Sequence, residues 1–322
     1  MSPGHMKRIP QETIHRLHHQ AGVSLIELMV SLVIGSLLIV GAVTVYMQSR
    51  NTYRTNEAAS RLQETARYAL DLIEPDVRMA GFWGMTNRAD FVANRGAADD
   101  ATRQGVDFAL GNCGMNWTVD TTHFLDGRDN GNYDLDCAGI SPSATSDVLV
   151  VRHASSEPTA LTLNRMQIQA NRFRAVVFSD GAMPTGFAAA PASTTHDLVV
   201  HAYYISNPAA GQFELRRQTL TDGPAIADEA VIPGVEDMQV QFGIDDNNDN
   251  SADQYVNPEA AALVSAQIVS ARIWLLVVAT DAEQGFEDGA SYIMANQDHG
   301  VLGGNRRRLL VSKTIQIRNS SL

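Results

Sequence analysis

Little in this chain points to a reaction centre. It has no His-Glu-x-x-His pair, no Gly-x-Ser-x-Gly elbow and no phosphate-binding loop, so the common short signatures of catalysis are missing. His123, His153, His196, His201 and His299 fall in separate segments, and His196-Asp197 reads as an ordinary loop pair beside a strand. The expectation is a protein that is not an enzyme. Two cysteines exclude a disulfide-dense small fold and a four-cysteine zinc site, and leave room for one bridge. Positive charge is scarce: Lys+Arg 24 against Asp+Glu 36 gives a formal net charge of -12, against the clustered basic surface that nucleic acid requires. No internal repeat is visible. With 19% charged and 44% hydrophobic residues in 322, the chain is neither a disordered polymer nor too short for a core.

What is present is unevenly spread. Residues 28–46, LMVSLVIGSLLIVGAVTVY, carry no charge, and as a helix they nearly span a hydrocarbon core of about 30 Å. Lys7, Arg8 and Arg16 precede them with one acid, Glu12, which places the first twenty residues in the cytoplasm and the bulk of the chain across the membrane. Met1 and Met6 are both candidate starts. A secretory signal would have a shorter apolar region and small residues at its end. Here the polar-to-apolar boundary is Gly22-Val23-Ser24-Leu25-Ile26-Glu27. A carboxylate beside a spanning helix needs a partner or a function, unless it sits at the interface where the helix dipole favours it.

The stretch GVSLIELMVSLVIG resembles the type III signal of type IV prepilins and pseudopilins, with Val23 where phenylalanine is usual. That resemblance implies cleavage after Gly22 by a prepilin peptidase and N-methylation of Val23. It also implies a retained helix that serves first as anchor and then as filament core. Glu27 would pair with the freed amino group of a neighbouring subunit, one buried charge satisfying another.

Past the membrane the helix continues. Leu62, Ala66, Ala69 and Ile73 recur at spacings of four, three and four among polar residues, an apolar stripe suited to packing on a sheet. Pro75 biases Glu74 away from helix, which predicts an end or kink there, about 78 Å from Val23. Gly35 and Gly41 are the weak points of the spanning part, which has no proline. Residues 85–140 read as loops. Strands are expected at 148–153, 161–169, 174–178, 198–205, 213–217, 235–242, 267–279 and 309–318. Several alternate cleanly, as Met238, Val240 and Phe242 do against Gln239 and Gln241. The fold class is α+β: one long N-terminal helix on a mainly antiparallel sheet. The organisation is a leader at 1–22, a transmembrane half-helix at 23–47, an amphipathic half at 48–74 and a head at 75–322.

Three further segments resemble the PilW family of type IV minor pilins: RLQETARYALDLIEPDVRMAGFWG (61–84), VEDMQVQFGIDDNNDNSADQYV (235–256), and VSARIWLLVVATD (269–281) with RRRLLVSKTIQIRN (306–319). Met85 stands where members of this family commonly carry a cysteine, and 85–230 is the variable head. The resemblance implies a subunit that primes pilus assembly in the inner membrane with other minor pilins and a tip adhesin, and that is carried out near the fibre tip. Twitching motility and adhesion would depend on it. A J-type pseudopilin of type II secretion has similar organisation, and a tip recognition module that assembly does not need is a third reading.

Asp245, Asn247, Asp249, Ser251 and Asp253 place oxygens at alternate positions, the order of a calcium loop, with Asn250 where glycine is usual and Val256 where a bidentate Glu belongs. The other reading is an Asx-rich hairpin. An oxidising periplasm favours a Cys113–Cys137 bridge, worth roughly 3 kcal/mol in the chain-entropy model, over two free buried thiols. Arg306-Arg307-Arg308 reads as the start of an edge strand, guarded by charge, in preference to a DNA or lipid contact.

Overall fold

The computed structural model of the chain describes residues 22–93, 118, 120–131, 142–187, 192–209, 211–223, 225–264 and 266–320. Cys113 and Cys137 lie outside the described residues. The chain divides into two compact units, Met1–Asn56 and Glu57–Leu322.

The first unit is helical from Leu25, the start of α1 (Leu25–Met79). Ser24 caps it: its Oγ accepts from the Glu27 N–H at 3.2 Å, half of the Ser-x-x-Glu capping pattern. Helix runs unbroken through Gly35 and Gly41. Ser31, Ser36 and Thr44 turn their hydroxyls back onto main-chain carbonyls of the preceding turn, so the polar atoms of this apolar stretch are satisfied within it.

In the second unit, Leu62, Ala66, Ala69, Leu70, Ile73 and Val77 of α1 are buried, the stripe that the spacing predicts extended by one turn. The expected helix end at Glu74 is corrected. Pro75 sits inside α1 on its exposed side, and the helix continues to Met79. Proline forfeits one main-chain bond, but the extra turn buries Val77 and Ala80 completely and brings Asp76 onto the sheet. Gly81, at φ +76°, then turns the chain away, with Phe124 3.3 Å from where a Cβ would stand.

Among the described residues the strands are β1 (Val92–Ala93), β2 (Leu125–Arg128), β3 (Val148–Ala154), β4 (Leu163–Ala170), β5 (Ala175–Asp180), β6 (Thr194–Ala209), β7 (Gln212–Thr221), β8 (Ala225–Pro233), β9 (Val235–Asp245), β10 (Gln254–Val256), β11 (Gln267–Val278), β12 (Ser291–Met294), β13 (Gln297–Val301) and β14 (Arg308–Gln316). The larger sheet runs β1-β5-β4-β6-β3-β2, with β7 also on β6 and β8 on β7. The smaller runs β10-β9-β11-β14, and β12 pairs with β13. Only the short β1–β5 pairing is parallel. All eight expected strands are found. β1 and β2 fall inside the stretch read as loop, and β8, β10, β12 and β13 were not expected. His196-Asp197 lies within β6 and not beside it.

The main core joins the α1 stripe to Leu149, Val151, Tyr203 and Ile205 of the larger sheet and to Met238, Val240, Phe242, Ile273, Leu275 and Ile315 of the smaller. A second core gathers Trp83, Met166, Ile168, Val177 and Val200. Ser146 and Asp147 tie the sheets together: Asp147 N–H donates to the Met238 carbonyl at 2.8 Å, and the Asp147 carboxylate accepts from the Val240 N–H at 2.8 Å.

Candidate functional site

From Val23 to Arg50 the side chains are exposed apart from half-exposed Gly35, among them Leu28, Val33, Ile34, Leu37, Leu38 and Ile39. An apolar helix of more than 18 residues open on every side cannot rest in water. This is the one described helix long and apolar enough to cross a membrane. The predicted processing residues, Gly22 and Val23, lie immediately before the Ser24 cap, and Glu27 occupies the first turn, where a carboxylate meets the positive end of the helix dipole. Gly22, Val23 and Glu27 therefore share one helix start.

The head carries three buried carboxylate clusters that spacing did not reveal. Asp76 faces β6 and β3. Its Oδ2 accepts from Tyr203 Oη at 2.5 Å and bonds His201 Nδ1, and its Oδ1 stands 3.6 Å from His153 Nε2. Burial alone would raise the Asp76 pKa, but the nearby His153 imidazole and the bonds from His201 and Tyr203 hold it well below the usual carboxylate range. Burial and the adjacent Asp76 charge push Tyr203 the other way, well above its ordinary value. His201 and Tyr203 are i and i+2 on one strand and share a face, a signal legible only once β6 is known to lie over α1.

Asp237 is the second centre. Ser146 Oγ and His299 Nε2 both bond to its carboxylate, the latter at 2.5 Å, and the bond to Asp237 raises the His299 pKa. Ser, His and Asp thus meet, but the hydroxyl donates to the carboxylate and not to the imidazole, and Ser146 is buried. A nucleophile needs its base within reach. Beside it Asp147 accepts from the N–H groups of Asn130 and Val240, and burial pushes its pKa up to about 7.

The third centre absorbs the basic run. Arg308 reaches Glu236 through Nη2 at 3.1 Å and Nε at 2.5 Å, and Asp288 through Nη1 at 2.9 Å. Arg307 binds Glu283 and lies over the Phe286 ring, 4.2 Å from its centroid, and Arg306 donates to the Gly211 carbonyl at 2.6 Å. β14 is an edge strand, as expected, but its arginines are turned into the head.

At 245–253 the chain forms the turn between β9 and β10. Asp245 Oδ1 accepts from the N–H groups of Asn247, Asn248 and Asp249, and Oδ2 from Asn250 at 2.7 Å. Desolvation opposes the charged form, yet these four bonds hold the Asp245 pKa below its usual value. Asp249 accepts from the Ser251 N–H, and Asp253 accepts from the Asp246 N–H and from Asn247 Nδ2. Asn248 and Asn250 take left-handed φ values of 62° and 61°, which asparagine tolerates. The turn is Asx-rich and bonded by its own main chain. Among the described residues no group of three or more His, Cys, Asp or Glu side chains is placed to hold a metal ion.

A family model described as Type IV Pilus-assembly protein W matches residues 202–319, from the middle of β6 through β14. A second, the Prokaryotic N-terminal methylation motif, matches residues 17–43 and so takes in Gly22, Val23 and Glu27. The two matches support a PilW-type type IV minor pilin. The expected α+β organisation, one long helix and a largely antiparallel head, is found. A type IV-like pilin from Thermus thermophilus aligns over 81% of this chain and 99% of its own at 12% identity, with a TM-score of 0.37. That superposition is loose, and the assignment rests on the two sequence matches. A comparison with curated proteins finds no match. The methylation motif and the apolar helix fit a membrane-anchored pilin, and the matched family implies association with pilus components.

Proposed function

We propose that this pilin primes type IV pilus assembly in the inner membrane, together with other minor pilins and a tip adhesin, and so supports twitching motility and adhesion. The observation that carries the reading is the apolar helix start at Val23–Arg50, exposed along its length and capped at Ser24. Such a surface is stable in lipid or against like helices. On this reading residues 1–22 are a cytoplasmic leader. Prepilin peptidase cuts between Gly22 and Val23, Val23 is N-methylated, and Glu27 pairs with the amino group of a neighbouring subunit. The head stands in the periplasm and reaches the pilus at or near its tip. In that compartment Cys113 and Cys137 form a bridge, which thiol labelling before and after reduction would test.

Pilus recovery from cells lacking the gene, with the retraction motor present and then removed, tests the role. Loss of surface pili in the first strain with partial recovery in the second is the expected result. Normal pili that fail to adhere would make the chain a recognition module, and normal pili with blocked secretion would make it a pseudopilin of type II secretion.

A further inference from the structure

We propose that Thr159 and Gln167 join spontaneously in an intramolecular ester, a covalent cross-link within the head whose formation Asp197 catalyses. All three residues lie outside both family matches, and the inference stands apart from the priming role.

Gln167 lies on β4 directly opposite Asp197 of β6, and it is fully buried. Its amide is held from both ends. Oε1 accepts from the Thr162 N–H at 2.9 Å, a main-chain donor that only the oxygen can receive. Nε2 has three oxygens beside it: the Ala160 carbonyl at 2.8 Å, Asp197 Oδ1 at 3.0 Å and Thr159 Oγ1 at 3.2 Å. Its two hydrogens serve the two nearer acceptors, which leaves the Thr159 oxygen standing against the amide as a surplus neighbour. Thr159 is fixed there by its own main chain, whose N–H donates to the Thr195 carbonyl at 2.7 Å.

Asp197 Oδ1 also accepts from Thr159 Oγ1, at 3.0 Å. One carboxylate oxygen therefore touches both the attacking hydroxyl and the nitrogen that must leave. Oδ2 is occupied by Arg165 Nε at 3.2 Å, so the proton travels through Oδ1. Thr159 Oγ bonds to Gln167 Cδ as its proton passes to Asp197. The negative charge that gathers on Oε1 is met by the Thr162 N–H. Asp197 then gives the proton to Nε2, the Cδ–Nε2 bond breaks, and ammonia leaves by a cavity of about 340 Å³ that Ser155, Arg165 and Asp197 help to line. One hydroxyl and one amide become one ester and one ammonia. No oxidant or second reactant is needed, and Asp197 ends as it began. The burial of Gln167 keeps bulk water from the acyl carbon, and the fixed approach supplies the rate that the same groups lack in free solution.

The next pair along the same two strands is a contrast. Thr195 Oγ1 donates to Gln169 Oε1, and Gln169 Nε2 donates to Ser193 Oγ at 2.9 Å. Hydroxyl and amide touch here too, but among the described residues no carboxylate bonds either side chain. This pair should stay unlinked.

The test is tryptic digestion at neutral pH of the full chain purified from its own membrane, followed by mass spectrometry. Trypsin cuts after Arg152, Arg165 and Arg172, so the ester would hold peptide 153–165 to peptide 166–172. The expected result is that joined pair, lighter than the sum of its parts by one ammonia and parted by alkaline hydroxylamine. Thr159→Ser should retain the link and Thr159→Val abolish it. Asp197→Asn should lower the joined fraction at least about tenfold, since a general base is worth on the order of a hundredfold or more in rate. Separate peptides with Gln167 intact, a Thr195–Gln169 link in equal yield, or full joining in a folded Asp197→Asn chain would overturn the proposal. Should Asp197→Asn not fold, the wild-type digest decides alone. Pilus counts do not enter the readout, so failure here and failure of the priming role are separate.

Discussion

Tyr203 Oη donates to Asp76 Oδ2 across 2.5 Å, joining the last turn of α1 to the middle of β6. Tyr203→Phe keeps the ring and removes a hydrogen bond to a charged acceptor, which should cost about 1–2 kcal/mol. Asp76→Asn should cost more, because Tyr203 and His201 both lose the charged acceptor that they bond. Chemical denaturation of the full chain in detergent would check both, and equal costs would break the argument. The pH dependence has a definite sign. A carboxylate held below its unfolded value of about 3.9 stabilises fully above that value and loses the contribution as pH falls toward its folded pKa. Asp76→Asn should therefore narrow the gap to wild type only below about pH 4.

Asp147 has the opposite sign. Its pKa is raised from 3.8 to about 7, so the unfolded chain ionises it first, and stability drains away as pH rises between those two values. Roughly three units correspond to an upper bound of about 4 kcal/mol. His299, raised by Asp237, adds a loss in a higher window, above the unfolded histidine value of about 6.5. Thermal midpoints from pH 4 to 8 should fall less steeply in Asp147→Asn below pH 7, and less steeply in His299→Gln above pH 6.5. A variant that tracks wild type would refute its assignment.

Arg308→Ala leaves Glu236 and Asp288 without their shared cation, and a loss of about 3–5 kcal/mol is expected. Arg308→Lys keeps one charge but cannot grip Glu236 through two nitrogens while reaching Asp288, so only part of the stability should return. A denaturation series of the three proteins decides it.

Glu27→Ala should lower recovery of the protein in sheared pili several-fold while leaving leader cleavage intact, read as the mature size on a gel. Unchanged recovery would count against charge pairing as the reason for the carboxylate.

At 245–253 the hairpin holds its oxygens with its own N–H groups. Calorimetric titration with calcium should give no heat at millimolar concentration. A saturable signal lost in Asp245→Asn would instead show that the loop opens to take the ion.

The helix and the eight main strands were legible because their signals are periodic: four-three-four spacing at Leu62–Ile73 and strict alternation at Met238–Phe242. The end of α1 was not legible, since Pro75 argues locally for a stop while Val77, Ala80 and Asp76 are rewarded only by contacts more than seventy residues distant. β8, with most of its residues exposed, lacks the apolar alternation that marks a strand and exists because β7 offers it a ladder. The proposed processing residues lie in a contiguous motif. The carboxylate clusters do not, because His153, His201 and Asp76 meet only when two sheets and a helix are assembled.

Lys313 pairs with Asp71 and Glu74, and the Arg318 N–H bonds the Arg78 carbonyl, so β14 runs in the same direction as the last turns of α1, which decides how the head bears tension. A pull along the helix enters β14 through Lys313 and through the Arg78–Arg318 bond, parallel to the strand. The rungs between β14 and β11 lie across that direction, so they are loaded together in shear instead of being unzipped one by one. A head pulled in this direction would thus yield late and all at once, a mechanical fuse set by the bonded pairs at Leu309, Val311, Lys313 and Ile315.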